Sequence, residues 1–502
     1  MFEKMYEPNK IIDYFSEATT QMSDLGTQML HHYFDFLSMS AQDLIRSVGL
    51  RHVLRHKLIG GGLLPFISSI MDLEKRETDK LVSIIRGETN ESLAEYLVQL
   101  SEKFLSGLRY DYLVNNLGKQ LFGSAKFKGE KKLGENDFYT FTYIPHTAKG
   151  PKKAAVFHVG GVLPYSDRLF RFLPETNFYD RFLEAGVDVF AMELKGDIFT
   201  NPAMKKLTVE KMIDSVHYFS DIAFKENGNE KMIIEGYCGL GMQAVSSVLA
   251  DVDAMSKKFG VLVTMVSPID GRSCNELSNI MNLFPKSMMF LNLLFSSMQD
   301  EVVKGDNLRR TIDIAIKSFF DKTAFGRFIH GYKSGVFSNI KDVRELDEKL
   351  QRDLAGSYWI SPENAAKYPV PLSLSHFSTM LFTVGVTKDG VTPIKYKGKR
   401  LDFKDLKKSD IKMISFYGEL DGMVPPKTCD VLIGVLGDQF QKVSHAKTGH
   451  VSYILSPERW DESNPKSFQP GVLSTILSKM PKSKTTAASK PKTDGKSTAA
   501  SK

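Results

Sequence analysis

The three residue types needed for nucleophilic acyl chemistry occur in this 502-residue chain in a telling order. Cys238 lies in Gly-Tyr-Cys-Gly-Leu-Gly, directly after the apolar run "KMIIEG" and before the helical pattern "GMQAVSSVLADV". A strand, a glycine-rich turn and a helix are the setting of a nucleophile elbow, whose strained turn needs small neighbours. Gly236 supplies one. A helix starting just after Cys238 would stabilise a thiolate through its dipole and free N–H groups. The Gly239 N–H is one candidate oxyanion donor. The second would come from a loop after an earlier strand, where "HVGGVL" offers Gly160, Gly161 and Val162.

A nucleophile needs a base, and the base needs an orienting acid. In the order nucleophile, acid, histidine, "KMISFYGELDGMVPP" places Asp421 just past a strand, and "VSHAKTGHVSYI" places His450 in a Gly-His turn after another. Both fall at strand C-terminal ends, the edge where α/β sheets carry their sites. Of eleven histidines, His450 alone has that context after Asp421. Taken singly, each residue has a blander meaning: a buried thiol, a helix cap, a turn. Order and context together point to a Cys-His-Asp triad. Cys274 and Cys429 lack an elbow and read as structural.

The elements that must position these residues are legible from hydrophobic periodicity. From about 137 the strand-like segments "FYTFTYIP", "KKAAVFHVGGV", "VDVFAMEL", "KMIIEG" and "FGVLVTMVSPID" alternate with the helical "YDRFLEAG", "TVEKMIDSVHYFSDIAFKENG" and "GMQAVSSVLADV". Such alternation predicts an α/β fold, a mostly parallel sheet with helices on both faces. It breaks over about 271–390 and returns with "DIKMISFYGELD" and "DQFQKVSHAKTGH". An insertion between two halves of one sheet reads as a cap over the site, and its apolar stretch "SMMFLNLLFSSM" suits a dry cavity or a core helix. The predicted organisation is therefore a helical module over 1–135, a catalytic domain over 136–480 and a tail over 481–502.

Composition narrows the function classes. The net charge is +7, but the tail holds six Lys and one Asp, so the rest of the chain carries only +2. A nucleic-acid partner is not expected, and the Lys/Ala/Ser/Thr-rich tail is expected to be disordered. Three cysteines without paired spacing predict neither a disulfide framework nor a metal site. The first residues lack the apolar core of a signal peptide, and no apolar run is long enough to span a bilayer, so a cytoplasmic protein is expected.

At the level of motifs the chain resembles polyhydroxyalkanoate synthases, members of the α/β-hydrolase superfamily. The matching segments are "FYDRFLEAGVDVFAMEL", "IIEGYCGLG", "VLVTMVSPID", "YKGKRLDFKDL", "FYGELDGMVPP" and "KTGHVSYI", in family order over about 140–460. The resemblance implies an acyltransferase that polymerises (R)-3-hydroxyacyl-CoA into a polyester and releases CoA, with no cofactor beyond the coenzyme A of its substrate. Cys238 would carry the chain as a thioester and His450 would deprotonate it. Asp421 would orient His450 or help to activate the incoming hydroxyl. The growing polyester, a granule surface and a homodimer are the partners it implies. Two departures stand out. Leu240 replaces the first of two glycines that usually follow the elbow, where its side chain is expected to crowd the turn, and Gly422 stands where a histidine commonly follows the acid. Two alternatives stay open: a thioesterase or depolymerase-type hydrolase using the same triad, and a non-catalytic granule- or membrane-associated homologue.

Overall fold

The computed structural model describes residues 64–161, 167–196, 201–274, 302–303, 324–361 and 370–481. Val162, the first 63 residues, the stretch "SMMFLNLLFSSM" and all but the first residue of the tail lie outside them. Eight strands form one sheet: β1 (Lys131–Glu135), β2 (Tyr139–Ile144), β3 (Ala154–Val159), β4 (Val187–Leu194), β5 (Met232–Tyr237), β6 (Phe259–Met265), β7 (Lys412–Gly418) and β8 (Phe440–His445). Their order is β1-β2-β4-β3-β5-β6-β7-β8. β2 runs antiparallel to both of its neighbours, and all pairs from β4 to β8 are parallel. This is the α/β-hydrolase fold.

Every residue of β3, β5 and β6 is buried, as expected of parallel strands covered on both faces. The period of two divides them between two cores. Ala155, Phe157 and Val159 face one cluster, while Ala154 and Val156 face the other. Helix α3 (Phe178–Glu184) fills the second cluster with Phe178, Tyr179, Phe182 and Leu183. Helix α4 (Val209–Glu226) fills the first with Met212, Ile213, Val216, Phe219 and Ala223, the stripe of a 3.6-residue period. Both start at a capping side chain. The side chains of Asn177 and Thr208 accept the N–H groups of Asp180 and Lys211. Helix α5 (Gly239–Ala250) follows β5 directly and also packs on the first cluster.

The sheet begins inside the stretch expected to be a helical module: 131–135 is β1, not helix. The sequence "KKLGE" hides this because an edge strand needs only one paired side, and its side chains are exposed or half-buried. Upstream, α1 (Leu64–Ile85) and α2 (Leu93–Leu113) are helical as expected. Helix α2 interlocks with α6 (Ala324–Ser334) from the expected cap. The Ser106 hydroxyl donates to the Gly331 carbonyl at 2.7 Å, and a Cβ on Gly331 would come within 2.5 Å of the Tyr110 Cβ. Helix α7 (Glu348–Trp359) touches the next turn in the same way, with no room for a Cβ between Gly118 and the Leu354 carbonyl. Among the described residues no helix is long and apolar enough to cross a membrane.

Candidate active site

Cys238 joins β5 to α5 with φ 52° and ψ −128°, a conformation an L-residue rarely adopts. Its neighbours make this turn feasible. Its N–H donates to the Met265 carbonyl on β6 at 2.7 Å, and the Gly241 N–H donates to its own carbonyl at 3.1 Å. A Cβ on Gly236 would lie 2.5 Å from the Leu240 carbonyl oxygen, and one on Gly241 would lie 1.9 Å from Ser267 Oγ. Gly236 and Gly241 are thus the two obligatory glycines of the elbow. Beside Gly239 there is open space, and as the first residue of α5 its N–H has no intrahelical acceptor.

Leu240 does not crowd the turn. Its side chain is 2% exposed and packs in the second core cluster with Tyr237, Val263 and Met265. It fits because the facing loop is bare: a Cβ on Gly161 would meet Leu240 Cδ2 at 3.0 Å and Gln243 Oε1 at 2.8 Å. The departure from the usual elbow is matched across the site by a glycine.

The structure brings Asp421 and His450 to Cys238. His450 Nδ1 lies 2.7 Å from Asp421 Oδ2, and the Cys238 sulfur is near enough to act electrostatically on the imidazole. Asp421 is held hard: its Oδ1 accepts the N–H groups of Met423 and Val424, each at 2.9 Å. Burial works against a charged imidazole here, but the Asp421 carboxylate and the Cys238 sulfur outweigh it and hold the His450 pKa well above its ordinary value. The His450 side chain retains 16% exposure while that of Asp421 has none. Cys238 is half-buried, whereas Cys274 and Cys429 are buried. Burial pushes the Cys429 thiol up to about 12 and the Cys274 thiol higher still. Only Cys238 combines access with a base.

In the expected oxyanion loop one candidate, Gly161, needs a correction. The Gly161 N–H is already taken: it donates to Asp167 Oδ1 at 3.0 Å. Gly160 sits against β4, where a Cβ would fall 1.8 Å from the Met192 carbonyl oxygen. Asp167 Oδ2 accepts the Leu194 N–H at 2.6 Å, so one buried carboxylate ties the loop after β3 to the end of β4. Sequence reasoning missed Asp167, which belongs to no motif. Beneath it, His158 on β3 and Glu235 on β5 form a fully buried pair at 2.6 Å. Among the described residues no cluster of His, Cys, Asp or Glu could hold a metal ion.

No protein-family model matches the sequence, and no curated protein does. Solved structures of similar fold include a carboxylesterase from Bacillus subtilis (13% identity, 70% of this chain and 94% of that one, TM-score 0.34). A soluble variant of monoglyceride lipase from Saccharomyces cerevisiae covers 66% of this chain and 92% of its own at 11% identity, with a TM-score of 0.40. A thioesterase domain from the curacin biosynthetic pathway covers 66% and 97% at 13% identity, with a TM-score of 0.36. At these scores the likenesses add nothing to a fold already established by its strand order.

Proposed function

We propose that this chain processes acyl groups through a thioester on Cys238, and that its donor is a hydroxyacyl-CoA. The observation that carries this reading is the half-buried cysteine on a strained strand-to-helix turn, beside an imidazole that a buried carboxylate orients. In the first step His450 takes the Cys238 thiol proton, the sulfur attacks the thioester carbonyl carbon, and the carbonyl oxygen becomes an oxyanion near the Gly239 N–H. The carbon–sulfur bond to CoA then breaks, and the departing thiolate takes a proton from His450. One thioester replaces another, so this exchange is close to thermoneutral. A cysteine suits it for that reason, and the acyl-cysteine stays activated toward an oxygen nucleophile.

The acceptor separates two readings. In the first, as in the polyhydroxyalkanoate synthases that the motifs resemble, a chain-end hydroxyl attacks the acyl-cysteine, His450 takes its proton, and a new ester forms. Asp421 fits the orienting role better than that of a second base, because both of its oxygens are already engaged. In the second reading water is the acceptor and the product is a free hydroxy acid. The exposure that Cys238 and His450 retain favours it, since water can reach them. Incubation with 3-hydroxybutyryl-CoA, following CoA, free acid and polymer separately, tests both. CoA with polymer supports transfer to a hydroxyl, and CoA with free acid supports hydrolysis. No CoA release from any hydroxyacyl-CoA tried would refute the proposal.

A further inference from the structure

We infer that Tyr237 is a positioning residue that sets the distance between His450 and the Cys238 sulfur; the inference rests on the proposed use of His450 as the base. The Tyr237 hydroxyl donates to the main-chain carbonyl of His450 at 2.6 Å, across 213 positions of sequence. Tyr237 is the residue immediately before Cys238, at the end of β5. Its ring is 2% exposed and is fixed edge-on by Phe170 and Phe178, each at 5.9 Å between centroids. The hydroxyl therefore has little freedom to follow a moving partner.

The other ties of the His450 turn lead elsewhere. The Leu420 N–H donates to the Thr448 carbonyl at 2.9 Å, and the imidazole Nδ1 meets Asp421, so both hold the turn to the loop after β7. The Gly449 N–H donates to Ser452 Oγ at 2.9 Å, within the turn itself. These bonds fix His450 relative to Asp421. Among the described residues, the Tyr237 hydroxyl is what ties it by a hydrogen bond to the strand that carries the sulfur. Proton transfer between imidazole and sulfur is steep in distance, and a misplacement of about 1 Å can cost ~100-fold in rate. Sequence gave no sign of this, because the acceptor is a backbone carbonyl.

Tyr237→Phe removes only the hydroxyl and keeps the packed ring, so the full-length variant should melt within a few degrees of the wild type. Two readouts are expected to fall. The kcat for CoA release from 3-hydroxybutyryl-CoA should drop roughly 10- to 100-fold with KM changed by less than about twofold. The rate of Cys238 alkylation by iodoacetamide at neutral pH, followed by peptide mass spectrometry, should drop about tenfold. In a His450→Gln background the Tyr237→Phe change should have no further effect on alkylation, because the hydroxyl acts through the imidazole. Unchanged kcat and alkylation, or an equal loss of alkylation in the His450→Gln background, would overturn the inference. Alkylation needs no acyl donor. A wild type that releases no CoA while Tyr237→Phe still slows alkylation would sink the functional proposal and leave the positioning role standing.

Discussion

The Asp167 carboxylate accepts the Gly161 N–H at 3.0 Å, so one of the amides that the sequence offers for oxyanion binding is occupied by the protein itself. Burial pushes the Asp167 pKa up to about 7, against the lowering effect of the Gly161 and Leu194 N–H groups; Glu193 adds to the rise and His158 opposes it. A carboxyl whose folded pKa lies above its unfolded value stabilises the fold fully below about 4 and loses that contribution as pH rises toward 7. Wild-type stability should therefore carry a downward component from pH 4 to 7 that Asp167→Asn lacks. Urea unfolding of both proteins across that window checks it, and parallel curves would show that Asp167 does not titrate there. The same variant loses an acceptor for one of the two N–H groups, so its loop loosens. Its kcat should fall about tenfold with KM nearly unchanged.

If Leu240 crowded the elbow, replacing it by glycine would relax the turn. The packing reverses the sign. Leu240→Gly removes a side chain that is 2% exposed and adds a glycine to the first turn of α5. The combined cost should be about 3–5 kcal/mol. Thermal or urea unfolding should show that loss, and kcat should not rise. A faster enzyme with undiminished stability would restore the crowding picture.

How far the sequence could be read depended on whether the physics was local. The buried strands stand out as short β-branched and apolar runs, and the helices between them as amphipathic ones. Cys238, Asp421 and His450 were legible because each sits at a strand end whose pattern is local. What was missed is long-range or depends on single backbone contacts. Asp167 serves two amides 6 and 27 positions away, and Tyr237 serves a carbonyl 213 positions away. The edge strand β1 has no apolar alternation to betray it. A hairpin, Val391–Tyr396 with Lys399–Asp402, went unread although Lys397 and Gly398, with φ of 47° and 80°, form its two-residue turn.

The strain at Cys238 is separable from its chemistry. Cys238→Ala and Cys238→Gly should both abolish CoA release, by at least ~10⁴-fold, and both should fold. At φ 52° and ψ −128°, alanine retains the steric cost and glycine does not. Cys238→Gly should be the more stable of the two by about 1–2 kcal/mol. In the wild type, mass spectrometry after mixing with a hydroxyacyl-CoA should place the acyl adduct on Cys238. An adduct confined to Cys274 or Cys429 in an active enzyme would overturn the assignment.

His450 supplies the last test, because its protonation is coupled to a neighbour that can be neutralised without changing its shape. The Asp421 carboxylate and the Cys238 sulfur hold its pKa above the ordinary 6.5 although burial pulls the other way. Asp421→Asn removes the larger of the two charge contributions while keeping a similar side chain in contact with Nδ1. Burial then gains the upper hand, and the His450 resonance, followed by NMR on histidine-labelled protein, should titrate at lower pH than in the wild type. A histidine whose folded pKa is raised contributes stability that is fully present below about 6.5 and is lost as pH rises through the folded value. The wild type should therefore gain stability relative to Asp421→Asn as pH is lowered from the alkaline side, and the gap should keep widening below 6.5, where the variant's buried imidazole resists the proton its unfolded state takes up. Catalysis should suffer more than folding does: with its orienting carboxylate gone, the imidazole faces the sulfur less often, and kcat should drop by roughly 10²–10⁴-fold. An unchanged His450 titration in Asp421→Asn would mean that the 2.7 Å contact does not set the charge of the imidazole.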